Sequence, residues 1–206
     1  MKHAIGIAAV AVLTVTVARA GDRFPELKLE QMSPEQKKVA EAIMSGPRKS
    51  LSGPFNAWLR SPELADRLQK VGEYIRFNTT LPHRLNEFAI LITAREWTSQ
   101  YEWYAHYPLA IKAGLNPKVA ADLAAGKRPA DMQDDEKIVY DFSIQLHRDK
   151  KVSDDTFKAA VAKFGETGVM DLIGVNGYYD LVSMTLNAAE VNVPPGETPP
   201  LPPLSR

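Results

Sequence analysis

The chain's 206 residues carry 25 basic and 25 acidic side chains, 45% hydrophobic residues and no cysteine. Balanced charge gives no warrant for a nucleic-acid partner or an anionic membrane surface. The missing cysteine excludes disulfides and every thiol-based mechanism.

At the N-terminus, Lys2 and His3 precede the apolar stretch from Ala4 to Val17, and Ala18-Arg19-Ala20 follows as a small-x-small cleavage site. This reads as a secretory signal peptide over residues 1–20, cleaved after Ala20, and hence as a periplasmic or secreted protein. The apolar run is shorter than the roughly 20 residues a membrane span needs, which leaves an uncleaved anchor as the lesser alternative. Cleavage removes Lys2 and Arg19 and no acidic residue, so the mature chain has a formal charge of −2. Residues 21–193 are the right size for one domain with a proper core.

After an extended lead-in to Met32, Ser33-Pro34-Glu35-Gln36 combines a capping hydroxyl, a first-turn proline and a capping-box glutamine, starting a helix that stops near Gly46-Pro47. Gly53-Pro54 turns into a short apolar segment, Phe55 to Leu59, and Ser61-Pro62-Glu63 starts the next helix, running toward Asn78. Pro82 to Trp97 reads as a buried helix and Ser99 to Gly114 as another, with Pro108 expected to kink it just past His106. Shorter helices follow Asn116-Pro117, Asp134 and Ser153, the last ending at Phe164-Gly165, and a final helix covers Thr167 to Ala189. On that helix Gly174 and Gly177 share a face with Met170, Ile173, Tyr178, Leu181 and Met184, which allows close helix packing and makes the face a candidate subunit contact. No strand-like alternation of useful length occurs, so the fold class is all-α, a helical bundle of about seven to eight helices. The tail, 194–206, holds six prolines and is expected to be extended or disordered, lying across a neighbouring subunit.

Ser99, Glu102 and His106 form one stripe at helical spacing, in which the Glu102 carboxylate can reach the His106 ring and orient it for acid–base work. Glu87 has Ile90, Leu91 and Ala94 as its same-face neighbours, which puts its carboxylate in a dry place. The plainer alternatives are a solvated Glu102–His106 surface pair and an Arg84–Glu87 pair one turn apart. The spacing resembles no zinc signature, so no metal is expected. His147 beside Arg148 at a helix end suits the helix dipole, His83 has no evident partner, and Trp58, Tyr178 and Tyr179 are expected in the core. Ser99 as a nucleophile stands two turns from His106, too far for direct activation.

Leu85-Asn86-Glu87-Phe88-Ala89-Ile90-Leu91, then Tyr101-Glu102-Trp103 and His106, with Met184-Thr185-Leu186-Asn187 near the C-terminus, resemble the carboxymuconolactone decarboxylase-like family, which also contains the alkylhydroperoxidase D proteins. The resemblance covers most of the mature chain and implies the alkylhydroperoxidase D-like fold. In the hydroperoxidase branch a Glu, a C-x-x-C pair and a His form a proton relay. Carried over, these fall on Glu87, Ser99, Glu102 and His106, and neither cysteine is present.

The resemblance therefore implies the cysteine-free, decarboxylase-like branch, with His106, Glu102 and Glu87 as acid–base groups and no metal or organic cofactor. Tyr101 is the expected donor to an oxyanion, while Arg84 and Arg95 are candidate partners of a substrate carboxylate. The family also implies a homo-oligomer, a dimer, trimer or hexamer. The leading expectation is a lyase or isomerase acting on a small lactone or unsaturated carboxylic acid. The alternatives are a peroxide-related role without cysteine and a non-catalytic periplasmic small-molecule binding protein.

Overall fold

A computed structural model of the chain describes residues 23–203, among which all regular structure is helical. The signal-peptide reading falls on residues outside that range. A 3-10 turn at Leu29–Gln31 leads into α1 (Pro34–Ser45), α2 (Phe55–Trp58), α3 (Pro62–Phe77), α4 (His83–Glu96), α5 (Gln100–Lys112), α6 (Pro117–Ala124), α7 (Asp134–Arg148) and α8 (Asp154–Ala189). No helix among the described residues is long and apolar enough to cross a membrane.

The capping chemistry explains most of the boundaries. Ser33 accepts a hydrogen bond from the Gln36 backbone N–H, and the Gln36 side chain accepts one from the Ser33 N–H, completing the capping box. Ser153 caps α8 in the same way through the Thr156 N–H. Ser61 makes no such bond, and α3 starts on its proline alone. Gly165 breaks α8 with φ +68°, a conformation that costs glycine little, so α8 is two helices in series, as the Phe164-Gly165 stop signal predicts. Pro108 does not end α5, which continues through it to Lys112.

Helix α4 is the axis of the molecule. Every residue from Leu85 to Arg95 is buried, because α4 packs against α5, α7 and α8 at once. Such a helix is apolar nearly all round, and the polar groups it does carry must find partners inside. Asn86 does so by donating to the Ile75 carbonyl at 3.1 Å. At Gly174 a Cβ would stand 2.8 Å from Ile75 Cδ1, so that glycine lets α8 close onto α3, whereas Gly177 faces open space beside the exposed Met170, Ile173 and Met184.

The described part of the tail folds back on its own chain. Leu201 is buried, and its backbone N–H and C=O pair with the Gln100 side-chain amide, each bond 2.8 Å. Arg95 donates to the Pro202 carbonyl at 2.8 Å. Leu201 supplies the one backbone N–H within Pro199-Pro200-Leu201-Pro202-Pro203 together with an apolar anchor, which is why the strap is held there.

Candidate active site

Glu87 on α4 and His106 on α5 meet where the two helices pack. Glu87 Oε2 lies 2.6 Å from His106 Nδ1, and the carboxylate is wholly inaccessible to solvent. One turn before His106 on its own helix, Glu102 places Oε1 3.1 Å from His106 Nε2. Each ring nitrogen thus faces a carboxylate, and the two contacts differ: the inner one is a short, sealed hydrogen bond, while the outer one is a longer ion-pair contact to a residue that reaches a cavity.

Burial works against a charge on the ring. The charges of Glu102 and then Glu87, with the hydrogen bonds to both, outweigh it and push the His106 pKa up to about 9. The ring is therefore an imidazolium at neutral pH, clamped between acceptors. Tyr179 from α8 stands edge-on to it, centroids 5.2 Å apart, and Tyr178 stands edge-on to Tyr179 at 5.4 Å. Burial raises both phenols, Tyr178 to about 12, so both stay neutral donors. Neither hydroxyl has a partner within the protein.

A cavity of about 230 Å³ opens onto these groups, lined by Glu102, His106, Tyr101, Tyr178 and Tyr179 together with Arg48 and Arg76. It is smaller than the roughly 300 Å³ at which pockets for drug-sized ligands begin. Tyr101 and the Ser50–Gly53 turn also line a neighbouring groove of about 770 Å³, so they form the wall between that groove and the cavity. Gly53 carries φ +74°, and a Cβ there would touch the Tyr101 ring at 3.4 Å.

The sequence-derived residues separate into three groups. His106, Glu102 and Tyr101 line the cavity, and Glu87 braces His106 from behind. Ser99 starts α5 as its N-cap residue; its hydroxyl is buried without a partner and does not line the cavity. Arg84 and Arg95 are elsewhere and engaged. Arg84 forms ion pairs with Asp135 and Glu136 of α7, not with Glu87, and Arg95 holds the tail strap while Glu96 pairs with Arg148. His83, exposed at the start of α4, has its Nε2 3.9 Å from Glu87 Oε1. His147 is not at a solvated helix end but buried, with Nε2 3.0 Å from the Thr93 hydroxyl.

Residues that spacing did not single out are Arg48, in the loop after α1, and Arg76, in the last turn of α3. A lone arginine at a helix C-terminus reads as complementing the dipole, and a loop arginine has no periodicity to interpret. Tyr178 and Tyr179 are core residues as expected, with their hydroxyls at the cavity.

No family model matches the sequence, and neither does any curated protein. Among solved structures it is similar to the crystal structure of an alkylhydroperoxidase AhpD core, a peroxidase-related protein from Ralstonia eutropha JMP134. The two superpose with a TM-score of 0.69 over 84% of this chain and 93% of that one, at 15% sequence identity. At that identity the likeness shows the fold: this chain has the alkylhydroperoxidase D-like, all-α architecture.

Proposed function

We propose that the protein is a cofactor-free acid–base enzyme, a carboxy-lyase or isomerase of decarboxylase type acting on a small lactone or unsaturated carboxylic acid. The observation that carries this reading is a buried imidazole ring held between two carboxylates, one of them on the wall of a small cavity. That arrangement supports a proton held at neutral pH beside a small cavity.

In the decarboxylase case, the bond from the ring carbon to its carboxylate breaks and CO2 leaves. The electron pair flows through the unsaturated system to the lactone carbonyl, giving a dienolate that must then accept a proton at carbon. Both ring nitrogens of His106 are directed at carboxylates, so the proton reaches substrate either from Glu102, recharged by His106 across the 3.1 Å contact, or from His106 Nε2 once Glu102 moves aside. Glu87 keeps Nδ1 bonded and compensates the charge on the ring. Tyr101, on the cavity wall, is the candidate donor to the developing enolate oxygen. Isomerisation uses the same groups, with Glu102 removing a proton and His106 returning it.

The neighbour's description as peroxidase-related does not carry over as a thiol reaction, because this chain has no cysteine to cycle. The reading includes export after cleavage behind Ala20 and assembly of a homo-oligomer, for which the exposed Met170, Ile173 and Met184 face of α8 is the candidate contact.

The test is turnover by the mature protein of a panel of carboxylated unsaturated γ-lactones and unsaturated dicarboxylic acids, followed by ultraviolet absorbance and CO2 release. Consumption of one compound, lost in His106→Ala, supports the proposal. Equal consumption by His106→Ala overturns it.

A further inference from the structure

Seven arginines among the described residues, such as Arg60, Arg84, Arg95 and Arg148, hold a carboxylate or a backbone carbonyl. The two that form no ion pair and no hydrogen bond there are Arg48 and Arg76, and both line the 230 Å³ cavity. The Nε and one terminal nitrogen of Arg48 are sealed from solvent and find no acceptor in the protein. Leaving such donors buried and unpaired is expensive, so a guanidinium in this state points to a ligand that satisfies it.

The two guanidiniums line one cavity and lie near one ring. Arg48 lies over the Phe55 ring at 5.0 Å and the Phe77 ring at 6.0 Å, and Arg76 lies over the same Phe77 ring at 5.3 Å. A ring contact accepts no ordinary hydrogen bond from their N–H groups, and two like charges lining one cavity repel until an anion joins them. The backbone makes room for this cluster: a Cβ on Gly72 would stand 2.0 Å from the Tyr178 hydroxyl and 2.6 Å from Arg48 Nη2. The phenol and the guanidinium therefore meet over a bare patch of α3 that only glycine provides.

We infer that Arg48 and Arg76, with the Tyr178 and Tyr179 hydroxyls, form a subsite for one carboxylate group of the substrate, a group that is retained through the reaction. Two guanidiniums without a carboxylate partner in the protein attract an anion. Planar carboxylate geometry also matches the guanidinium fork. The retained character follows from catalysis as differential binding. A carboxylate departing as CO2 loses its charge, so arginines gripping it would stabilise the substrate more than the transition state. On the reading of His106 and Glu102 as the reacting groups, on which this assignment of role rests, a decarboxylated substrate must therefore be at least a dicarboxylate, and an isomerised one keeps its acid group as a handle.

The experiment is binding of 2-furoate, a planar ring carrying one carboxylate, and of its uncharged isostere 2-furamide, by calorimetry and by amide NMR on the full mature protein. The wild type is expected to bind furoate at least about tenfold more tightly than furamide, with shifts at Tyr178 and Tyr179. Arg48→Gln and Arg76→Gln are each expected to weaken furoate by about tenfold or more with furamide unmoved, while His106→Gln binds furoate and loses turnover. Gly72→Ala, which fills the cradle without touching either arginine covalently, provides a second route to the same loss if Arg48→Gln does not fold. Equal affinity for the two compounds, no furoate binding by the wild type, or furoate binding unchanged in both arginine variants overturns the subsite. Those outcomes leave the acid–base reading to its own turnover test. Arginine-dependent furoate binding by a protein that turns over none of the panel overturns the acid–base reading instead and leaves the subsite.

Discussion

His106 and His147 are both buried and both point Nδ1 at a carboxylate, yet their surroundings shift their proton affinities in opposite directions. His106 has two carboxylates, at 2.6 and 3.1 Å, both almost wholly out of solvent. His147 has one, Asp180 at 3.4 Å, whose side chain is 33% exposed and which also accepts from the Trp97 indole. Its Nε2 faces the Thr93 hydroxyl, a neutral group. Burial dominates at His147 and lowers its pKa, whereas at His106 the paired carboxylates overcome burial and raise it. Residue type and depth alone do not set the proton affinity of a buried histidine; the number of sealed carboxylates beside it does.

The sharpest way to break this comparison is activity. Once a substrate is found, His106→Gln should lower kcat by about 10²-fold or more, the ordinary scale of general acid–base catalysis. His147→Gln should stay within a few-fold of wild type in the same assay. Equal losses would mean that the His147 network is part of the working site or that both variants fail for structural reasons, which circular dichroism separates.

Next in size is stability. Glu87→Leu leaves the His106 imidazolium without its innermost partner and should cost about 3–5 kcal/mol in urea unfolding at pH 7. Asp180→Asn, at a half-open pair that retains an acceptor for Trp97, should cost about 1 kcal/mol or less.

The pH dependence of stability follows with opposite signs at the two sites. The folded pKa of His106 lies above its ordinary 6.5, so its contribution is complete below pH 6.5 and is lost as pH rises toward about 9. The folded pKa of His147 lies below 6.5, so its contribution is present above pH 6.5 and is lost as pH falls. Urea midpoints measured from pH 5 to pH 9.5 should therefore lose alkaline slope in His106→Gln and acid slope in His147→Gln. The two changes appearing on the same side would contradict the assignment.

Much of this was legible in the sequence where the determinants are local. Ser33, Ser153 and Gly165 set helix ends through their own turns, and Glu102 and His106 share a face by spacing alone. Glu87 was legible as a buried carboxylate from its apolar neighbours, although its contact with His106 depends on how α4 packs on α5. What escaped depends on contacts between distant segments. Arg84 ignores Glu87 one turn away because α7 brings two carboxylates to it, and Arg95 is recruited by a tail about a hundred residues later. Arg48 stands in a loop with no periodicity, and its role emerges only when α3 presents Gly72 beneath it. His147 reads as a helix-end residue until α8 covers it.

The most direct test is an NMR titration of the histidine ring nitrogens in the protein, with His106 and His147 assigned by their glutamine variants. The account predicts that at pH 7.5 both nitrogens of His106 carry protons, with a midpoint near pH 9, while His147 is already neutral. A His106 that is neutral at pH 7.5, or that titrates near 6.5 alongside His147, would contradict the claim that paired buried carboxylates hold a proton beside the cavity.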